Sequence, residues 1–341
     1  MIKSEDIINH IKTEEEHKYT STGIKFWRHK DAMESYRKQG GHTVISTHIS
    51  PEGRCNLKCP YCSVAKRDVH NQIPLETIKD YVLKLKSRGL KACILTGGGE
   101  PTLYPQFEEL VYWLKIEQRL SVALITNGTN VKKISQKIWD MFSWVRVSIN
   151  QIPNYKEKIS FPCIKGVLGA SMVYSGQSEE EMREISNFIP EQVEYVRVLP
   201  NCLLNQNELI EEHKKIEVML ERLNDNRFFH QFKIHGKPET QICHQAYFRP
   251  YLSEVNGGTV FPCDSLVLNE EQMHFAEKYA ICSAEQILDF LDGKIKLKFK
   301  AHELCKGCVF TENLKILNDW HLHGINRFDE YKGELIHEEF V

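Results

Sequence analysis

This sequence of 341 residues contains no apolar run near the roughly 18 residues that span a bilayer, so no membrane-crossing helix is expected. It lacks a charge excess of either sign. Its 44 basic and 46 acidic residues leave a formal net charge of −2, which gives no general electrostatic drive toward nucleic acid or a membrane surface. No low-complexity tract is present, and no short repeat beyond an alternation of strand-like and helix-like segments. Residues 1–16 are polar and charged and lack the apolar region of a signal peptide, so a cytoplasmic location is expected. What the chain does have is cysteine. Eleven of them in such a chain point to metal or redox chemistry rather than to a disulfide framework. With 41% hydrophobic residues the chain can bury a substantial core, and its length predicts one large and one small domain.

Three cysteines fall within eight residues, Cys55-Asn56-Leu57-Lys58-Cys59-Pro60-Tyr61-Cys62, just after the β-branched run 43–49. Three thiolates on one tight loop can hold three irons of a four-iron cluster and leave the fourth open to a substrate or cofactor. Structural zinc usually closes with four ligands, commonly in Cys-x2-Cys pairs, and this loop supplies three in another spacing. His70 is the nearest residue able to complete a zinc site.

A second motif, Leu95-Thr96-Gly97-Gly98-Gly99-Glu100-Pro101, follows the apolar stretch 92–95. Consecutive glycines at a strand end remove every Cβ and permit positive φ, so the backbone can turn sharply against a ligand. A carboxylate beside such a turn suits a charged amine. Together the two motifs resemble the radical S-adenosylmethionine (SAM) enzymes. The resemblance implies that Cys55, Cys59 and Cys62 hold a [4Fe-4S] cluster whose open iron chelates SAM. It also implies that Gly98, Gly99 and Glu100 bind the SAM amino group, with the glutamate completing a charge-assisted hydrogen bond.

Periodicity and breakers predict strands at 43–49, 92–96, 121–126, 145–149, 167–174 and 195–199. Helical patterns at 75–87, 107–116, 132–142 and 179–188 lie between them, and another at 208–223 follows the sixth strand. Repeated strand-helix units imply a parallel sheet with right-handed crossovers. The expected fold class is α/β, a partial (β/α)6 TIM-like barrel with a small C-terminal α+β iron-sulfur cluster domain. The crossover at 151–163, with two prolines, is the weakest. Residues 1–41 read as an N-terminal helical extension, 42–235 as the barrel and 236–341 as the cluster domain. Within the extension, Lys25-Phe26-Trp27-Arg28-His29-Lys30 reads as an amphipathic helix packed on the domain, with contact to phosphates or bases as the alternative.

In parallel barrels the loops after the strands carry the chemistry, and both motifs sit there. The resemblance places polar residues at the ends of the third and fourth strands against SAM, here Asn127, Ser148 and Asn150; residues that merely cap strands are the alternative. No Gly-x-Ile-x-Gly adenine-contact pattern appears around Gly166 and Gly169.

The C-terminal third carries Cys243, Cys263, Cys282, Cys305 and Cys308. Between the first two, the alternating run 251–261 is interrupted by Asn256-Gly257-Gly258, a strong hairpin signal that brings the flanking cysteines together. Cys305-Lys306-Gly307-Cys308 can bind one metal centre with both thiolates. This order resembles the auxiliary-cluster modules called SPASM, or the shorter Twitch, of some radical SAM enzymes. No cysteine follows Cys308, so the resemblance implies one auxiliary [4Fe-4S] cluster held by Cys243, Cys263, Cys305 and Cys308. Four thiolates also make a good zinc site. Cys282 is the spare of this set, able to replace a ligand if Cys243 or Cys263 lies elsewhere, but its apolar neighbours favour a buried side chain; Cys93 and Cys163 have similar surroundings and are expected to pack. Cys202 follows the sixth strand and is a candidate hydrogen donor, as a cysteine is in radical SAM epimerases.

The resemblance thus implies an enzyme that cleaves SAM reductively to a 5′-deoxyadenosyl radical and abstracts a substrate hydrogen. It would complete an oxidation (dehydrogenation or crosslink) or an epimerisation of a peptide or small polar metabolite. Its electron donor would be a protein such as flavodoxin or ferredoxin. Residues 1–41 lack a clear winged-helix pattern for binding a peptide leader. The other function class is a non-catalytic iron-sulfur or zinc protein that binds a partner or RNA; such a module has no need of an amine-chelating carboxylate beside three thiolates.

Overall fold

The computed structural model describes residues 10–38, 40–149, 154–269, 277–324, 328 and 331–341. Seven strands run parallel in chain order: β1 Ser46–Ile49, β2 Ala92–Leu95, β3 Ser121–Thr126, β4 Trp144–Ser148, β5 Val167–Tyr174, β6 Tyr195–Pro200 and β7 Phe228–His230. Six match the predicted strands. The seventh, three residues long, is too short to show a period. The chain is a mixed α/β fold of partial-barrel form, as expected.

The sheet does not stop at β1. Strand β8, Tyr251–Ser253, pairs parallel with β1, and β9 Thr259–Phe261 and β10 Cys282–Ser283 add antiparallel neighbours, giving ten strands in the order β10-β9-β8-β1 through to β7. The hairpin predicted at Asn256-Gly257-Gly258 is present, with all three residues at positive φ. It extends the barrel sheet instead of standing in a separate one.

Strand alternation sorts the side chains. On β4, Val145 and Val147 are buried in the large apolar core under the crossover helices, whereas Trp144 faces inward with Ala92, Ile94, Ala123 and Phe340. The helices form where sequence supplies both a stripe and a stop. Ser178 and Glu181 make a reciprocal capping box for helix Glu179–Phe188, burying Met182 and Ile185. Asn205 and Glu208 do the same for helix Gln206–Leu223, which ends on Asn224 in the left-handed region. Among its described residues, the crossover after β4 holds one helical turn, Tyr155–Lys158.

The aromatic and basic stretch 25–30 packs. It enters a 3-10 turn, Gly23–Arg28, with Phe26 and Trp27 buried against Phe248 and Trp320. With residues 331–341 this segment lies at the end of the barrel opposite the loops that follow the strands: Phe340 packs on Trp144, and Lys25 donates to the carbonyls of Ile336 and His337. Cys93 is buried as expected, but Cys163 is exposed, in the loop before β5 where no strand covers it.

Gly169 has a packing role. A Cβ there would lie 2.2 Å from the Tyr195 ring, which is buried and stacked on Tyr19 at a 4.2 Å centroid distance. Gly169→Ala is therefore expected to force the ring out of its stack and lower stability by about 1–3 kcal/mol, read by thermal melting. An unchanged melting temperature would show that the ring moves freely.

Candidate active site

The cysteine loop is shaped by local turn chemistry. Cys62 N–H donates to the Cys59 carbonyl at 3.1 Å, closing a turn with Pro60 at the position its fixed φ favours. Two N–H groups reach the sulfurs: Asn127 Nδ2 lies 3.7 Å from Cys55 Sγ, and Arg67 Nη1 lies 3.7 Å from Cys62 Sγ. Burial pushes the Cys59 thiol up to about 11, with its neighbours Cys62 and Cys55 adding to the effect. Hydrogen bonds from Asn127 and Arg67 to sulfur are the kind that tune a cluster's potential.

The glycine loop is sewn to the segment that leads into the cysteines. Gly98 N–H donates to Ser50 Oγ at 2.7 Å, Gly99 N–H to the Glu52 carbonyl at 2.9 Å and Glu100 N–H to the Arg54 carbonyl at 2.7 Å. The expected reason for the glycines needs correction. None of Gly97, Gly98 and Gly99 has positive φ. They are required by close approach: a Cβ on Gly99 would sit 2.1 Å from the Arg54 carbonyl oxygen, and one on Gly98 would sit 2.0 Å from Glu254 Oε1.

Glu100 also differs from an open ligand for an amine. It is buried, and its Oε1 accepts from Thr102 N–H (3.1 Å), Thr102 Oγ1 (2.7 Å) and Thr126 Oγ1 (2.6 Å), while Oε2 accepts from Asn127 N–H at 2.7 Å. Burial raises its pKa, and these four donors work in the opposite direction. The carboxylate is a clamp between the loops after β2 and β3. Asn127 joins the same assembly: its amide holds Asn56 and Cys55, and its Oδ1 accepts from Thr129. Ser148 ends β4 at the same mouth, half-buried and outside the cavity lining. Asn150 lies outside the described residues.

The C-terminal cysteines converge. Cys243, Cys263, Cys305 and Cys308 line one small chamber with Phe310 and Leu314. Burial pushes the Cys305 thiol up to about 12, with Cys308 contributing, and Cys243 and Cys263 are raised further. Gly236 and Cys308 exchange backbone hydrogen bonds at 2.9 Å, and Phe310 N–H lies 3.4 Å from Cys308 Sγ. Cys282 stands apart on β10, buried opposite Val260. The thiols line the chamber without meeting at a point. Among the described residues, no three His, Cys, Asp or Glu side chains are gathered closely enough to hold a single metal ion.

A cavity of about 360 Å³ lies between the two cysteine sets. Tyr61, Ser63 and Gly97 border it from the first set, Ser265, Val309 and Phe310 from the second, and Cys202 from the loop after β6. Burial raises the Cys202 thiol, whose Sγ lies 3.7 Å from the Pro200 carbonyl. Sequence reasoning missed Arg67, Glu254 and the His48–Asp264 pair, whose Nδ1 and Oδ2 are 3.1 Å apart. It also passed over a legible signal: Trp-Val-Arg-Val on β4 and Tyr-Val-Arg-Val on β6 each put an arginine on the inward face of an otherwise apolar strand.

Glu100→Gln tests the clamp. The amide oxygen can still serve the threonine donors, but the amide nitrogen then meets Asn127 N–H donor to donor. The expected cost is about 1–3 kcal/mol, read as a lowered unfolding midpoint. Unaltered stability would mean the carboxylate is not a structural tie.

Residues 49–189 match the protein-family model described as the Radical SAM superfamily. An S-adenosylmethionine-dependent nucleotide dehydratase from Selenomonas ruminantium is 32% identical over 111 residues, 32% of this chain and 39% of that protein. An Fe-coproporphyrin III synthase from Methanosarcina barkeri is 29% identical over 165 residues, 47% of this chain and 39% of that protein. The chain thus spans about two-fifths of the length of these curated relatives. Among solved structures, Streptococcus suis SuiB bound to S-adenosylmethionine aligns over 82% of this chain and 76% of its own, with a TM-score of 0.55 and 17% identity, a likeness of fold.

Proposed function

We infer from the match of residues 49–189 to the Radical SAM superfamily model that this chain is a radical SAM enzyme carrying one auxiliary cluster. The observation that carries the reading is the assembly just described. Three thiols share one loop, two N–H donors are aimed at their sulfurs, and a glycine loop is fixed alongside by three bonds from its backbone N–H groups, two to carbonyls and one to the Ser50 hydroxyl. On this reading Cys55, Cys59 and Cys62 hold the cluster that binds SAM, and Cys243, Cys263, Cys305 and Cys308 hold the second. Bound there, these groups and SAM supply one-electron chemistry: reductive cleavage of SAM to a 5′-deoxyadenosyl radical, hydrogen abstraction and an electron sink.

The chain's own residues do the rest. The glycine loop brings backbone within reach of the cofactor, with Gly98 and Gly99 admitting close approach and Glu100 holding the loop in place. Asn127 and Arg67 orient the thiols. Ser148 and Asn150 remain assigned to SAM. The cavity between the cysteine sets takes the substrate and keeps water from the reacting carbon. Residues 236–341 form the auxiliary-cluster unit although their hairpin shares the barrel sheet, and the electron donor is a flavodoxin or ferredoxin in the cytoplasm. No helix among the described residues is long and apolar enough to cross a membrane. Two reaction classes fit, an oxidation or an epimerisation, and Cys202 divides them because it borders the cavity as a hydrogen donor to a substrate radical must.

Anaerobic reconstitution followed by iron and sulfide counting tests the reading. About eight irons are expected in the native protein and about four in the Cys55/Cys59/Cys62 triple alanine variant. With reductant and SAM, only the native protein should release 5′-deoxyadenosine. Zinc in place of iron, or complete clusters without SAM cleavage, would identify a metal-stabilised binding protein. Once the product is known, Cys202→Ala should abolish it if the reaction is an epimerisation; full product formation would remove Cys202 from the mechanism.

A further inference from the structure

The interior of the barrel holds more positive charge than the one carboxylate of its lining, Asp264, can answer. Arg146 on β4 is only 7% exposed, faces the cavity beside the Trp144 ring, and its Nε has no hydrogen-bond partner among the described residues. Arg197 on β6 also lines the cavity with a buried, unpartnered Nε. Lys233, just past β7, completes the group, its ammonium 5.3 Å from the centre of the Phe310 ring. Among the described residues none of the three forms an ion pair with a carboxylate, whereas the other cavity cations are engaged. Lys18 pairs with Glu334, Lys25 meets two backbone carbonyls, and Arg249 donates through Nη1 to the Val341 carbonyl at 3.0 Å, although its buried Nη2 has no partner among the described residues.

One carboxylate of the cavity lining, Asp264, faces this group; its Oδ2 lies 3.1 Å from His48 Nδ1, and its single negative charge is shared among Arg197, Lys233 and Arg249. Burial alone would raise Asp264, but the facing His48, Arg249 and Lys233 hold it below the ordinary carboxylate range. The cations pay for their confinement: burial and mutual repulsion push Arg197 down to about 9 and Lys233 to about 8. Buried charge without a counter-charge is unfavourable, and an anion delivered by a ligand relieves it.

The arrangement is built, and it is not a loose surface patch. The segment carrying Lys233 is tied down on its far side. His213 Nε2 lies 3.1 Å from the Lys233 carbonyl and its Nδ1 lies 2.8 Å from His230 Nε2, while His230 Nδ1 lies 2.8 Å from Glu217 Oε2. Glu16 accepts from Phe232 N–H at 3.1 Å. The two arginines sit on paired-strand scaffolding, where a rigid fork suits bidentate recognition of phosphate or carboxylate. Residues 18–25 and 336–340 also line the cavity, so the space is bounded at that end.

We propose that this cavity binds a small substrate bearing two or more negative charges, as phosphate or as carboxylates, anchored by Arg146, Arg197 and Lys233. The proposal rests on the radical SAM reading, which places the reacting carbon of that molecule between the two cysteine sets. Its test uses reconstituted holoprotein in calorimetric titrations at constant ionic strength, with pyrophosphate in one arm, citrate in another and glucose as the neutral control. Saturable binding is expected in the pyrophosphate arm if the substrate is phosphorylated and in the citrate arm if it is a polycarboxylate. Arg197→Gln and Lys233→Gln should each weaken it by about tenfold or more. Should neither variant fold, the wild type decides alone, because a bound anion must raise its melting temperature saturably.

The proposal is overturned if wild-type holoprotein binds neither anion, or if folded variants bind as tightly as wild type. It is also overturned if SAM affinity falls in step with anion affinity, which would assign the cations to the cofactor. Wild-type protein that releases 5′-deoxyadenosine yet binds no anion would sink this inference and leave the underlying reading standing. Absence of iron and of SAM cleavage would sink the underlying reading itself.

Discussion

The buried carboxylate of Glu100 is the tie on which the rest of the site depends. Four donors from two loops meet it, so the ends of β2 and β3 are held at one distance from each other. Its backbone N–H meanwhile bonds the Arg54 carbonyl, one residue before the first cysteine. Three consecutive features of the barrel mouth, the cysteine turn, the glycine loop and Asn127, are thereby set relative to one another by a single residue. A carboxylate can do this inside a protein because it offers two oxygens with several acceptor positions, whereas an amide or hydroxyl offers fewer.

The same economy of long-range contact joins the two halves of the chain. Strand β8 adds directly to β1, so the hairpin and the chamber lined by four thiols belong to the sheet that carries the first cysteine loop. Glu254, next to that strand, reaches the glycine loop so closely that Gly98 has no room for a Cβ. Neighbours of the two cysteine sets, Tyr61 and Ser63 on one side and Ser265 and Val309 on the other, therefore border one cavity. Any group bound in that cavity touches elements from both ends of the sequence. Residues 18–25 and 336–340 border it as well, which makes the extension part of the chamber wall.

Electrostatics divides the interior by depth. Toward the loops the polar groups are mostly satisfied, as with Ser50, the Glu52–Arg54 pair and Glu100. Within the barrel the side chains are cationic, and the buried Nε of Arg146 and of Arg197 lacks a partner. A folded chain keeps such groups only where surrounding structure supports them, here apolar walls above and below and a histidine chain behind Lys233. A satisfied rim thus stands above an interior whose cations are only partly answered.

Much was legible without coordinates because it is local. Strand and helix periods, the three-cysteine turn, the glycine run, the hairpin at Asn256-Gly257-Gly258 and the amphipathic packing of Phe26 and Trp27 all follow from residues a few positions apart. The motif Trp-Val-Arg-Val, repeated as Tyr-Val-Arg-Val, was equally local and pointed to buried cations. Tertiary structure alone decided which charges converge and which thiols share a chamber. It decided that Glu100 clamps loops instead of standing open, that Cys163 is exposed while Cys282 is buried, and that the hairpin joins β1. These depend on pairings between residues tens to hundreds of positions apart. Local spacing states which face a side chain takes on its own strand, but the neighbour it meets there is chosen by how the strands close into a barrel.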